Sequence, residues 1–225
     1  MKKIFLVAMM AVFTSTAFAQ LMTGKSAAFA KEESKNWSYI YVQYNPGVFS
    51  PKEGSSKSYN GLSLGYNMNF RLTQSIPLFL ETGIGAQWSH YNEEESGYGA
   101  KYERTLNMIS AKIPVGVGYA FDIPNTPITI IPNAGFDFRI NAYGEIKTEA
   151  SGYGTSGSKT YNVFDKDDMG SSDATWNRFQ FGGHIGVNAR FWSKLLVGFS
   201  YQMDFTEIAK DCHLYQGNIT VGYCF

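Results

Sequence analysis

The chain has 225 residues, 16% of them aromatic and only 17% charged, where soluble domains carry roughly 25% charged residues. This length suits a single domain, and Lys+Arg equal Asp+Glu at 19 each, which removes any electrostatic case for a nucleic-acid partner. Such a Tyr-, Phe- and Gly-rich, charge-poor composition leans toward β structure.

The first residues have the form of a secretory signal. Lys2 and Lys3 make a positive start, Ile4 to Phe13 an apolar run too short to cross a bilayer, and Ala17-Phe18-Ala19 a small-x-small cleavage pattern. Cleavage is expected before Gln20, giving 1–19 as signal peptide and leaving an excess of two acidic residues in the mature chain. No Cys follows the apolar run, so a lipid-modified amino terminus is not expected. No later stretch approaches the roughly 18 consecutive apolar residues of a membrane helix. Residues 20–35 are small and polar without a period, and read as a flexible periplasmic leader.

From residue 36 onward, alternation with period two dominates, which predicts strands with two unlike faces. Ser38 to Asn45 is the first, with Ile40, Val42 and Tyr44 on one face; Tyr39 and Tyr41 on the other leave its parity ambiguous. Tyr59 to Phe70 sets Leu62, Leu64, Tyr66 and Met68 against Gly61, Ser63, Gly65 and Asn67. Leu78 to Ser89, Ile109 to Phe121, Ile130 to Ala142, Phe179 to Phe191, Leu195 to Phe205 and a last run ending at Phe225 repeat the pattern. These are eight strands. The connections 71–77, 122–128 and 192–194 are short, whereas 46–58, 91–104, 144–175 and 206–213 are longer, polar and expected to be loops. Short turns on one side and long loops on the other fit a membrane barrel with both termini in the periplasm.

Alternation alone does not say which face is outside. The polar face is built of Gly, Ser, Asn and Gln rather than the Lys and Glu that soluble proteins turn to water. Small residues suit the interior of an eight-stranded barrel, which has room only for side chains. Large apolar residues need no room if they face lipid, and runs of ten or more residues meet the 9–11 that a tilted strand needs to span. Phe70, Trp88, Tyr119, Phe121, Phe191, Tyr223 and Phe225 gather near strand ends, where interfacial girdles belong. The expected fold is therefore all-β: an eight-stranded antiparallel transmembrane β-barrel over residues 36–225.

The stretches Pro77-Leu78-Phe79-Leu80-Glu81-Thr82-Gly83-Ile84-Gly85 and Ile113-Pro114-Val115-Gly116-Val117-Gly118-Tyr119, with the terminal Gly222-Tyr223-Cys224-Phe225, resemble the outer-membrane β-barrel domain family (PorT-like barrels, kin in architecture to OmpA- and OmpX-type proteins). The resemblance implies a fold and an address, the bacterial outer membrane, and no shared catalytic set. The closing Phe225 resembles the signal read by the barrel assembly machinery.

The candidate site is the set of polar groups whose parity turns them into the lumen: Glu81, Lys112, Asp137, Arg139, Arg178, His184, Arg190 and Asp204. An internal salt-bridge and hydrogen-bond network that fills the barrel is the first reading, and a narrow polar passage the second. Catalysis finds no constellation. Ser89 and His90 are neighbours on a strand and so face opposite ways, and His213 falls at a strand–loop junction far along the chain. Asp165-Lys166-Asp167-Asp168-Met169-Gly170 has Met169 at the fifth position and Trp176 at the twelfth, so it fails as a calcium loop. No cofactor, metal ligand set or catalytic residue is expected. Cys212 and Cys224 are expected not to pair. The functional expectation is a monomeric, non-enzymatic barrel displaying loops for surface interaction or envelope structure. A narrow porin-like channel and a lipid-modifying enzyme are the alternatives. The expected partners are outer-membrane lipid, lipopolysaccharide and, through Phe225, the assembly machinery.

Overall fold

The structure, a computed structural model, describes residues 36–97, 100–152, 155–171 and 174–225. The expected signal peptide and leader lie outside the described residues. Eleven strands follow in chain order: β1 (Trp37–Tyr44), β2 (Gly47–Pro51), β3 (Lys57–Arg71), β4 (Leu78–Gly97), β5 (Ala100–Tyr119), β6 (Phe121–Asp122), β7 (Ile128–Gly152), β8 (Thr155–Asn162), β9 (Phe179–Phe191), β10 (Leu195–Asp204) and β11 (Cys212–Cys224). One helical turn, α1 (Lys166–Met169), sits between β8 and β9.

Sequence neighbours pair antiparallel from β3 through β4, β5, β7, β9 and β10 to β11. The sheet then closes on itself through β1, which pairs β11 on one side (Val42↔Val221) and β3 on the other (Val42↔Leu64). The wall thus has eight staves. β2 continues β1 past an interruption at Asn45-Pro46, where proline has no N–H to give to a ladder. There Asn45 N donates to Gly61 O and Gly217 N to Pro46 O, so both neighbouring staves stay attached through the break.

The faces separate as the period predicts. Val42, Leu64, Ile84, Val117, Phe136, Val187, Val197 and Val221 point outward and are exposed, while Asn67, Gln87, Ser110, Asp137, Gln180, Gln202 and Asn218 are buried inside. The ambiguity in β1 resolves with Tyr39 and Tyr41 inward. Tyr41 fits because Gly65 and Gly85 are register partners: a Cβ on either would lie about 2.5 Å from the Tyr41 hydroxyl. The turn closing β9 and β10 is made by Trp192 and Ser193, both at positive φ (50° and 55°), with Lys194 N donating to Phe191 O. Without Asn or Gly this turn costs roughly 1–2 kcal/mol per residue.

Three of the four expected long loops are largely strand. Residues 46–58 contain β2 and the start of β3; 91–97 belong to β4 and 100–104 to β5; and 144–175 contain the end of β7, all of β8 and α1. Residues 91–97, 100–106, 145–152 and 155–162 form a four-stranded extension in the order β4–β5–β7–β8, beyond the last β3–β4 pair, Asn60↔His90. Its physical signature differs from that of the wall. Beyond Tyr91, Leu106 and Ile146, which pack on the buried cluster at its base, both faces meet water, so Glu, Lys, Ser and Thr occupy both parities and the alternation that marks a strand disappears. The acidic run at 165–168 has a local role. The Asp165 carboxylate caps α1 by accepting from Asp167 N, and Asp168 accepts from Asn162 N.

Candidate functional site: the lumen and its two stoppers

The inward face builds three layers. The middle one is polar. Asp137 on β7 lies 3.4 Å from Lys112 Nζ on β5 and 2.8 Å from His184 Nδ1 on β9. Lys112 Nζ also donates across the lumen to Gln202 Oε1 at 2.7 Å, and Gln202 Nε2 donates to Asp204 Oδ1. Asp204 in turn takes Arg139 Nη2 with both carboxylate oxygens, at 2.7 and 2.6 Å. On the opposite side, Glu81 Oε1 accepts from the Tyr39 hydroxyl at 2.7 Å and from Asn67 Nδ2 at 2.6 Å. Amides from three staves and the Tyr59 hydroxyl from a fourth fill the rest: Gln216 Oε1 takes Tyr59 and Gln87, while Asn218 Oδ1 takes Asn45 and Gln216.

Of the eight residues expected here, seven face the lumen, though not as one network. Arg190 lies nearer the terminus-bearing end, its guanidinium 4.7 Å from the centre of the Trp37 ring. Arg178 is a correction. It precedes β9, is exposed, donates to the carbonyl oxygens of Asn141 and Ala142, and stacks on Phe164 at 4.3 Å. Its parity matches Gln180 and its carbonyl still accepts from Asn141 N, but its guanidinium turns back onto the β7 carbonyls at the rim instead of entering.

Apolar layers close the lumen above and below. At the end carrying the extension, Phe49, Tyr59, Leu106, Met108, Val163, Ile208 and Leu214 form one buried cluster, with Trp176 and Phe164 packed on it. Val163 and Ile208 reach it from the connections and are fully buried. At the terminus-bearing end, Tyr39, Tyr41, Leu196 and Cys224 form a second cluster and Phe79, Ala120 and Ile131 a third, joined by Trp37. Between the stoppers remains a cavity of about 50 Å³, lined by Glu81, Lys112, Asp137 and His184 among others. That volume holds a few waters and no larger solute. The expectations did not include the stoppers. Their signal in the sequence is a set of large apolar residues with inward parity at strand ends: Phe79, Leu106, Met108, Ile131, Leu196 and Leu214.

The three histidines lie in three places. His184 is inside on Asp137, His90 is on the outer surface beside Asn107, and His213 is near the top of β11 opposite Ser50. Ser89 is fully buried in the lumen, on the face opposite His90. Both cysteines are free thiols, and among the described residues no group of three or more His, Cys, Asp or Glu is placed to hold a metal ion. The extension carries its own ion pairs, Lys101 with Glu94 and Lys147 with Glu149. Glu94 holds the Lys101 ammonium above the usual lysine range.

A family model described as outer membrane protein beta-barrel domain matches residues 5–225. No curated protein matches the chain. Among solved structures, the chain is similar to the attachment invasion locus protein Ail of Yersinia pestis, at 12% identity over 85% of this chain and 99% of that one, with a TM-score of 0.41. It is similar to Neisserial surface protein A at 13% identity, 83% and 95% coverage and a TM-score of 0.36. For the outer membrane enzyme PagL the values are 13%, 80% and 97%, and 0.39.

Proposed function

The chain belongs to the outer membrane protein β-barrel domain family, and from that premise we propose that it is a non-conducting, non-enzymatic barrel whose task is to hold a rigid sheet outside the cell. The termini lie in the periplasm in this reading, and the β4–β5–β7–β8 extension faces outward for surface contact. One observation carries the proposal: buried apolar clusters stopper both ends of the lumen, and the polar cavity between them has a volume of about 50 Å³. A porin-like passage needs a continuous water column, and here it would have to displace Val163, Ile208 and Leu214 at one end and Tyr39, Tyr41 and Leu196 at the other. An enzyme needs a nucleophile and a base at one reachable site, and Ser89 and His90 are on opposite sides of the wall. The apolar outer face around the staves supports lipid as the surrounding partner and a monomer as the working state. Phe225, extended and exposed at the end of β11, supports recognition by the assembly machinery.

Planar-bilayer recording tests the proposal. Protein whose insertion is verified by anomalous migration without heating should give no steady current. Stepwise, ion-sized openings in most insertions would overturn it.

A further inference from the structure

The outer surface carries a sharp boundary that neither the stoppers nor the extension explains. Following cross-strand partners from β1 through β7, Tyr44, Leu62, Trp88, Ile109 and Tyr143 form one outward row of exposed apolar and aromatic side chains. The next outward row toward the extension is entirely polar: Asn60, His90, Asn107 and Glu145 on four adjacent strands. The aromatic row marks a membrane interface, where Trp and Tyr concentrate. The polar row therefore lies at the height of lipid headgroups.

Three of these residues are prepared as hydrogen-bonding groups. The Tyr44 hydroxyl donates to Asn60 Oδ1 at 2.5 Å, which orients the amide and leaves its N–H groups as donors. His90 Nδ1 lies 3.0 Å from Asn107 Oδ1. An amide oxygen only accepts, so Nδ1 carries the hydrogen, and in the neutral ring Nε2 is an acceptor. The His90 ring stacks on Trp88 at 5.5 Å and 29°, and that indole is itself exposed. The row thus presents donor, acceptor and donor over about 10 Å, at the ~4.8 Å spacing of neighbouring strands.

Hydroxyl groups, which both give and accept, match this alternation. A phosphate does not: it only accepts, would meet the His90 lone pair, and would stand beside Glu145. Within the row there is no Lys or Arg, and Lys147, in the row above, is already held by Glu149. We infer that Asn60, His90 and Asn107 form a binding site for the hydroxyl-rich sugar head of a membrane glycolipid, with Trp88 beneath the head and the acyl chains running down Leu62, Leu64 and Ile84. Placing that lipid in the outer leaflet rests on the orientation proposed above; the binding itself does not.

The test uses the folded chain in a zwitterionic detergent, titrated with monoglucosyl diacylglycerol and, separately, with phosphatidylglycerol of the same acyl chains. Bound lipid is counted by native mass spectrometry. The glucolipid should be retained preferentially. The triple variant Asn60→Ala/His90→Ala/Asn107→Ala should weaken its binding on the order of tenfold, leaving phosphatidylglycerol binding unchanged. These positions lie on the outer surface, and unheated migration confirms that the variant is folded. Equal retention of both lipids, a preference for phosphatidylglycerol, or an unaltered triple variant would each overturn the site. Current through the barrel would leave this result standing, so the two proposals fail separately.

Discussion

Arg139 and Asp204 are both about 1% exposed and join β7 to β10, staves that do not pair with each other. Removing one partner of such a pair strands the other charge in a dry interior, whereas replacing both with apolar groups is close to neutral. Arg139→Met should therefore cost about 3–5 kcal/mol of folding stability in lipid vesicles, and Arg139→Met/Asp204→Leu should recover most of it. Urea titration of both variants measures the difference; a double variant as unstable as the single would mean that the pair does more than compensate burial. The two cysteines stand too far apart to pair. They are the first and last residues of β11, which at ~3.3 Å per residue separates them by on the order of 40 Å, and a disulfide needs Cα atoms within about 7 Å. Non-reducing peptide maps of folded protein should contain no Cys212–Cys224 peptide. Burial, and after it the charge of Glu207, pushes the Cys212 thiol up. Its alkylation should consequently be slower at pH 8 than in the unfolded chain.

At the scale of the strand, orientation and depth set the cost of a charge. Val197 and its partner Val221 face outward one row deeper in the wall than Leu195 and Tyr223, the pair nearer the chain end. Val197→Arg should cost up to about 2–4 kcal/mol and Tyr223→Arg measurably less, because the penalty falls toward the interface. Equal costs in vesicle refolding would deny that these residues sit at different depths. The strands of the wall were legible because lipid on one side and a cramped lumen on the other impose opposite demands on successive residues. β1 was ambiguous for a physical reason: its inward tyrosines fill space while their hydroxyls serve Glu81 and the glycine slot. The sequence predicts loops over the extension because a sheet wetted on both faces has no reason to alternate. Arg178 has the right parity, but β7 carbonyls at the rim draw its guanidinium away from the lumen.

For the whole molecule, the extension and the stopper are neighbours with different duties. Residues 148–159 cover only the outer part of β7 and β8, while Val163, Trp176 and Ile208 belong to the stopper. Replacing 148–159 by a short turn should leave a barrel that still migrates anomalously when unheated. Val163→Asp, by contrast, should destabilise it by a few kcal/mol, because it buries a charge with no partner. Protease added to intact cells should cut the 145–162 hairpin in the orientation proposed here. Cleavage there only after lysis would reverse that orientation.

The period of two is a local property, written residue by residue, so the sequence by itself determined the eight staves, the lipid-facing side and seven of the eight inward polar groups. Which of those groups meet was decided only by closure of the sheet. Lys112 reaches Gln202, and Arg139 reaches Asp204, because register brings β5, β7 and β10 to one level around a narrow lumen. The stoppers arise in the same way. Leu106, Met108 and Leu214 are unremarkable residues near strand ends until the ring brings them together and Val163 and Ile208 fold in from the connections. Alternation specifies the direction of a side chain. What stands opposite it depends on contacts between residues 65, 90 and more positions apart, and those exist only once the barrel has closed.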